Sequence, residues 1–253
     1  MKTGRIIMRL EDHMNYIQWM GAAGFLIQYN NIRIGLDLYF SNYCMNERGE
    51  GKRLMPPPCE AGSIKMDYLI SSHEHGDHLD MGSMEEWFAV NENLKLIGPE
   101  PSLKAAEKMI PRNKMILLDR GGRFEITPDI MLEGVFCDHG EQTPEAIGVV
   151  LKLGGLKIYF TGDTQYRRDL REITGIQDVD ILLVPINPAF GNPGTEGAAK
   201  ITAMFSPKIV IPCHFWLTKE HGDGDPGSFE KACAVTSPET KCIILASGEK
   251  MKL

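Results

Sequence analysis

The sequence predicts an α/β protein built from two similar halves. Three observations point there: a tight strand–turn–strand pattern that occurs twice, a buried strand that follows it in each half, and amphipathic segments of helical length between the strands. In the first half, residues 24–34 read as two short strands joined at Asn30-Asn31; in the second, residues 148–158 read the same way with Gly154-Gly155 at the turn. Both dipeptides tolerate the positive φ angles of a tight hairpin. Downstream, residues 66–72 correspond to residues 179–185, an apolar run of buried-strand type in each case. Two matches in the same order indicate an internal repeat.

The remaining elements follow from periodicity and punctuation. Residues 84–90 and 101–110 read as helices, the second with Pro101 near its start and Pro111 beyond its end. Residues 164–174, 197–205 and 228–235 also read as helices, and residues 130–136, 209–211 and 242–246 as apolar strands. The stretch 39–63, with Pro56-Pro57-Pro58, reads as a loop overhanging the site. Nothing resembles a linker, so residues 1–253 are expected to form a single domain.

Composition narrows the function. The net charge of −7, with no cluster of lysine or arginine, disfavours a long polyanion such as RNA but leaves a small anionic metabolite open. No stretch has the apolar length of a membrane span. The opening Met1 to Arg5 leads into no signal-type core, because Arg9, Glu11, Asp12 and His13 interrupt it. Six cysteines without a CxxC pair suggest free thiols in a reducing cytoplasm.

The chemistry concentrates in His73-Glu74-His75-Gly76-Asp77-His78, which holds three of the seven histidines. A buried strand ending near Ser72 delivers His73 and His75 into the following loop. Residues two apart on extended chain face one side, so both imidazoles can grip one cation. Gly76 is expected to turn the backbone sharply, aiming Asp77 and His78 at a neighbouring position. The spacing therefore suits two adjacent metals. Glu74 is expected to point away from its flanking ligands, and His13 and His221 have no partnered motif.

The run His73-x-His75-x-Asp77-His78 resembles the signature of the metallo-β-lactamase superfamily. The resemblance implies an αββα four-layer sandwich of two similar halves, in agreement with the internal repeat. It also implies three further ligands, for which His139, Asp163 (in Thr161-Gly162-Asp163) and His214 stand in the right order. One metal would then be held by His73, His75 and His139, and the other by Asp77, His78 and His214, with Asp163 bridging. Asp37, closing the apolar strand at residues 32–36, would support the ligand loop by hydrogen bonding. Cys213 should turn toward the core and Cys137 should pack.

Two divalent cations, zinc or manganese, can share a water and lower its pKa toward about 7. Asp77 would orient that nucleophile and accept its proton. Flavodiiron oxygen reductases are set aside because they carry glutamate where His75 stands, and β-CASP nucleases because residues 163–214 leave no room for their insertion. Trp19-Met20-Gly21, residues 72–80 and residues 161–166 are most similar to the L-ascorbate-6-phosphate lactonases. The expected activity is therefore hydrolysis of a small ester or lactone, a phosphorylated sugar lactone among the candidates. Arg167, Trp216 and Lys219 are the candidate substrate contacts, although a solvated helix face or loop is the readier account of the two cations. The alternatives are a phosphodiesterase acting on a nucleotide or short RNA, and a metal-binding scaffold without turnover. The lactonase resemblance also hints at a homo-oligomer.

Overall fold

The computed structural model of the chain describes residues 14–49 and 51–253, so the reading of residues 1–13, His13 included, lies outside it. The first sheet contains β1 (Tyr16–Gly21), β2 (Gly24–Tyr29), β3 (Ile32–Leu36), β4 (Tyr68–Ile70), β5 (Lys95–Gly98) and β6 (Met115–Leu117). The second contains β7 (Arg123–Thr127), β8 (Ile130–Phe136), β9 (Ile147–Leu153), β10 (Leu156–Phe160), β11 (Ile181–Pro185), β12 (Ile209–Cys213) and β13 (Lys241–Cys242). The last strand, β14 (Lys250–Lys252), returns to the first sheet beside β1. Each sheet thus has seven strands, in the orders β14-β1-β2-β3-β4-β5-β6 and β13-β12-β11-β10-β9-β8-β7.

The internal repeat is a repeat of topology. β2 and β3 form an antiparallel hairpin from which β4 and β5 continue in parallel. β9 and β10 form the matching hairpin, continued in parallel by β11 and β12. Asn30 and Asn31 both adopt positive φ, as their two-residue turn requires.

Six helices are described: α1 (Tyr43–Arg48), α2 (Met81–Val90), α3 (Glu100–Ala106), α4 (Leu170–Thr174), α5 (Gly194–Phe205) and α6 (Pro226–Thr236). One apolar cluster joins the facing sides of the two sheets, for example Ile17, Phe25 and Ile34 with Leu132, Val149 and Ile158, and runs on to Ile201 and Phe229 of the helices beyond the second sheet. A second cluster packs Met84 and Trp87 of α2 and Leu103 of α3 against Leu69 and Leu96 of the first sheet. The result is the expected αββα sandwich.

Several element boundaries differ from the sequence expectation. The helix expected over residues 164–174 begins only at Leu170, because the chain before it bonds elsewhere: Gln165 N donates to Asp138 O at 2.8 Å and Thr164 Oγ1 accepts from Asp138 N at 3.1 Å. The strand expected over 242–246 shrinks to Lys241–Cys242, at the margin of the sheet where only β12 offers a partner. The loop at 39–63 contains α1 and a short 3-10 turn, Ala61–Ser63.

That loop is pinned by Asp80, the N-cap of α2, whose side chain is almost wholly buried. Its carboxylate accepts from Phe40 N (2.8 Å), Ser41 N (2.9 Å), Ser83 Oγ (2.7 Å) and Gly82 N (3.1 Å), and also from Ser41 Oγ. Removing it strands several buried donors at once, each costing about 1–3 kcal/mol with partial relaxation. Asp80→Ala should therefore lose roughly 3 kcal/mol of unfolding free energy in urea titration. A loss below about 1 kcal/mol would show that water replaces the network.

Candidate metal centre

The site lies where the strands of both sheets end. Asp37 follows β3, and Ser72 and His73 follow β4, while Asp163, Asn187 and His214 follow β10, β11 and β12. Carboxyl ends of parallel strands are where α/β proteins gather reactive side chains. His139 arrives from the loop after β8.

Two donor groups meet there. His73, His75 and His139 form the first, with His73 Nε2 3.0 Å and His139 Nε2 3.2 Å from His75 Nδ1. Asp77, His78 and His214 form the second: the Nε2 atoms of His78 and His214 are 3.1 Å apart, and Asp77 Oδ2 is 3.2 Å from His214 Nε2. Asp163 reaches both, its Oδ2 lying 3.4 Å from His78 Nε2, 3.3 Å from His214 Nε2 and 3.9 Å from His139 Nε2. Nitrogens bonded at about 2.0–2.1 Å to one ion stand roughly 2.9–3.4 Å apart, so these spacings fit donors sharing a cation. The buried Asp163 Oδ1 has no hydrogen-bond partner among the described residues, which also fits a ligand oxygen.

The surrounding residues fix this geometry. The buried Asp37 carboxylate accepts from Ser72 N (2.7 Å) and Ser72 Oγ (2.5 Å) and stands 2.6 Å from His78 Nδ1. Proton donation by Nδ1 to that carboxylate turns Nε2 toward the centre. Asn192 Nδ2 donates to Asp163 Oδ2 at 2.7 Å and to Asn187 Oδ1 at 3.0 Å. Cys137 is buried and directs its thiol at Asp163 O (3.0 Å), while Cys213 is buried in the hydrophobic core. Gly162 adopts φ +66°, and a Cβ there would meet Ile147 O at 2.8 Å. Gly76 has a different reason from the expected one: its φ is not left-handed, but a Cβ would come within 2.7 Å of Tyr43 and 3.0 Å of Cys44. Glu74 buries one carboxylate oxygen without a hydrogen-bond partner, and burial raises its pKa.

Electrostatics divide the imidazoles. Burial, with the neighbouring His78 and His139, pushes His73 well below its ordinary range, and burial likewise lowers His139. Burial would also lower His78 and His214, but the carboxylates overcome it. Asp163, Asp77 and Asp37 raise His78 well above the ordinary value, and Asp163 with Asp77 raises His214 to about 9. Against their own burial, the imidazoles of His78, His214 and His221 hold Asp77 well below the usual carboxylate range, and His214 and His78 do the same to Asp163.

A cavity of about 410 Å³ opens onto the cluster, lined by His75, Asp77, His139, Gly140, Glu141, Gln142, Asp163, Phe190 and His221. His221 is the residue that sequence reasoning missed. It is buried, its Nε2 is 3.4 Å from Asp77 Oδ2 and its Nδ1 is 2.8 Å from Thr218 Oγ1. Its sequence neighbours carry no ligand spacing that would have marked it.

None of the three expected substrate contacts, Arg167, Trp216 and Lys219, lines this cavity. Arg167 is turned to Asp169 (2.9 Å) and Asp138 (3.0 Å), which neutralise it at the surface. Lys219 lines a separate cavity with Gly51 to Leu54 and Glu220. Trp216 is 44% exposed and meets Phe215 edge-on.

Comparison with known proteins agrees with this architecture. Residues 16–214 match the family model described as Beta-lactamase superfamily domain, and the chain belongs to that superfamily. Among the relatives, a UPF0173 metal-dependent hydrolase of Staphylothermus marinus is 33% identical over 186 residues, covering 73% of this chain and 77% of the relative. One from Pyrobaculum neutrophilum is 25% identical over 242 residues, or 94% of this chain and 99% of the relative. The structure of Igni18, a metallo hydrolase of Ignicoccus hospitalis, superimposes with a TM-score of 0.71 at 17% identity, covering 95% of this chain and 98% of the other, which shows the shared fold.

Metal uptake should release protons. Ligand imidazoles must be neutral, and in the metal-free site the raised pKa values keep His78 and His214 charged at pH 7. His73 and His139, lowered, have already lost their protons there. Titrating zinc into weakly buffered apoprotein at pH 7 should acidify it by about one to two protons per chain. The release should shrink as the pH rises through about 9, where His214 deprotonates on its own. Release unaffected by pH between 7 and 10 would contradict this charge arrangement.

Proposed function

We propose that the chain is a metal-dependent hydrolase that opens a small uncharged ester or lactone, with two divalent cations, zinc or manganese, at the joint of the two sheets. The observation that carries this reading is the convergence of two donor triads on Asp163, which keeps one oxygen without a hydrogen-bond partner. Cations held there supply Lewis acidity, polarising a carbonyl and making water acidic enough to attack near neutral pH.

The chain's own groups do the rest. Asp77 lines the cavity with its Oδ2 between His214 and His221, where it can take a proton from the attacking water. Thr218 holds the ring of His221, which also lines the cavity, within hydrogen-bonding reach of a substrate oxygen. Asn192 fixes Asp163, and Asp37 fixes both Ser72 and His78. Resemblance to the ascorbate-6-phosphate lactonases favours a ring ester. Among the described residues the cavity lining contains no lysine or arginine, which favours a substrate without phosphate over the phosphodiester alternative. None of the six cysteines is in a disulfide and no described helix is long and apolar enough to cross a membrane; both facts are compatible with the cytoplasmic placement we propose.

Elemental analysis of purified protein should find about two metals per chain, falling to about one or fewer in His75→Ala. In zinc- or manganese-loaded protein, kcat/KM for simple lactones and esters should exceed that for bis-p-nitrophenyl phosphate by roughly 100-fold or more. The reverse order would assign a phosphodiesterase. Bound metal without turnover of either class would assign a scaffold.

A further inference from the structure

We propose that Phe190 is a specificity-determining residue, receiving an uncharged alkyl or aryl group carried by the substrate beside its scissile ester. The inference rests on the hydrolase reading above and adds the chemical class of the substrate. The chain presents this aromatic to solvent in spite of two unfavourable tendencies. Phe190 is 58% exposed, and its φ of +56° lies in the left-handed region that bulky side chains rarely occupy.

The loop bearing it is firmly held. Asn192 N donates to Ala189 O at 3.0 Å and Gly194 N to Asn187 O at 3.2 Å, while the Asn192 side chain is bonded to Asp163. On the other flank Pro188 packs against Gly222, where a Cβ would fall 2.8 Å from Pro188 Cγ. Exposure of the ring therefore belongs to an anchored loop.

Phe190 meets the imidazole of His221 at 5.2 Å with the planes at 67°, and both rings line the cavity with Asp77, His139 and Asp163. An apolar group on a substrate seated over the cluster thus finds a ring beside it. An anionic group at the same place meets Glu141 and Gln142, with no lysine or arginine in the lining among the described residues. An aromatic wall on one flank of a polar centre is the arrangement that orients small ligands with one apolar end.

The test compares γ-butyrolactone with the γ-lactone bearing a pentyl group, using metal-loaded protein. The readout is the ratio of their kcat/KM values, which a general loss of activity leaves unmoved. Shielding about two methylenes against the ring should give the pentyl lactone roughly a 10-fold advantage in the wild type. Phe190→Ala should reduce that ratio to below about 3, and Phe190→Leu should restore most of it. A ratio the same in Phe190→Ala as in the wild type overturns the proposal. Calorimetric titration of the pentyl-substituted five-membered lactam and its unsubstituted parent into the same proteins reads the preference without turnover. If neither lactone is hydrolysed, the hydrolase reading fails for lactones, and the binding data still decide the role of Phe190. A pentyl preference that vanishes in Phe190→Ala supports it, and equal lactam binding by the wild type overturns it.

Discussion

Negative charge held away from water governs the architecture of this protein. Asp37, Asp77 and Asp163 are each no more than 6% exposed, and all three reach the same group of histidines. An unpaired carboxylate in such a place costs several kcal/mol, so the site must bring in positive charge or lose its ionisation. In the metal-free protein His78 and His214 answer by holding protons. Bound metal ions would answer more completely, because one ion would satisfy several lone pairs at once and free the imidazoles to act as ligands. Hydrogen bonds alone leave the arrangement incomplete: Asp163 receives Asn192 on one oxygen and nothing on the other.

The same place joins the two halves of the fold. His73, His75, Asp77 and His78 come from the first sheet's side, and His139, Asp163 and His214 from the second. Backbone bonds cross between them at the site: Ile147 N donates to Ser72 O at 3.0 Å, and His214 N to Ala22 O at 2.7 Å. Trp19 supports the second crossing by donating its indole N–H to Ala22 O while stacking on Phe215 at 4.6 Å. Asp37 and His214 both have positive φ, a strain that the crowded joint imposes and the surrounding bonds sustain. A metal held at such a joint would therefore also stabilise the association of the two sheets.

Legibility in the sequence followed the range of the interactions. The hairpin at Asn30-Asn31 could be read because its geometry is local, and the histidine run because its donors lie within six residues. His221 escaped because its place depends on a short 3-10 turn, Lys219–His221, that folds it back on Asp77 from another segment. Residues 164–169 have helix-compatible composition, yet their hydrogen bonds go to the Asp138 loop, a partner no periodicity announces. Gly76 was recognisable as necessary, but the need is room for Tyr43 and Cys44 across a sequence gap of some thirty residues. Arg167 and Lys219 lie near ligand motifs along the chain yet turn away from this cavity, because nearness in sequence says nothing about which way a long side chain turns.

Asn192 shows how recognition and the metal centre share a support. Its amide nitrogen serves both Asp163 and Asn187, and its amide oxygen is buried with no partner among the described residues. Turning the amide over would set that oxygen against the Asp163 carboxylate, so the charge on Asp163 dictates the orientation. That orientation in turn anchors the loop on which Phe190 is carried. The loop's conformation is therefore subject to the electrostatic state of the cluster beneath it. A cation held by Asp163 would favour the same orientation of Asn192, because the amide nitrogen and not the oxygen would still face the carboxylate.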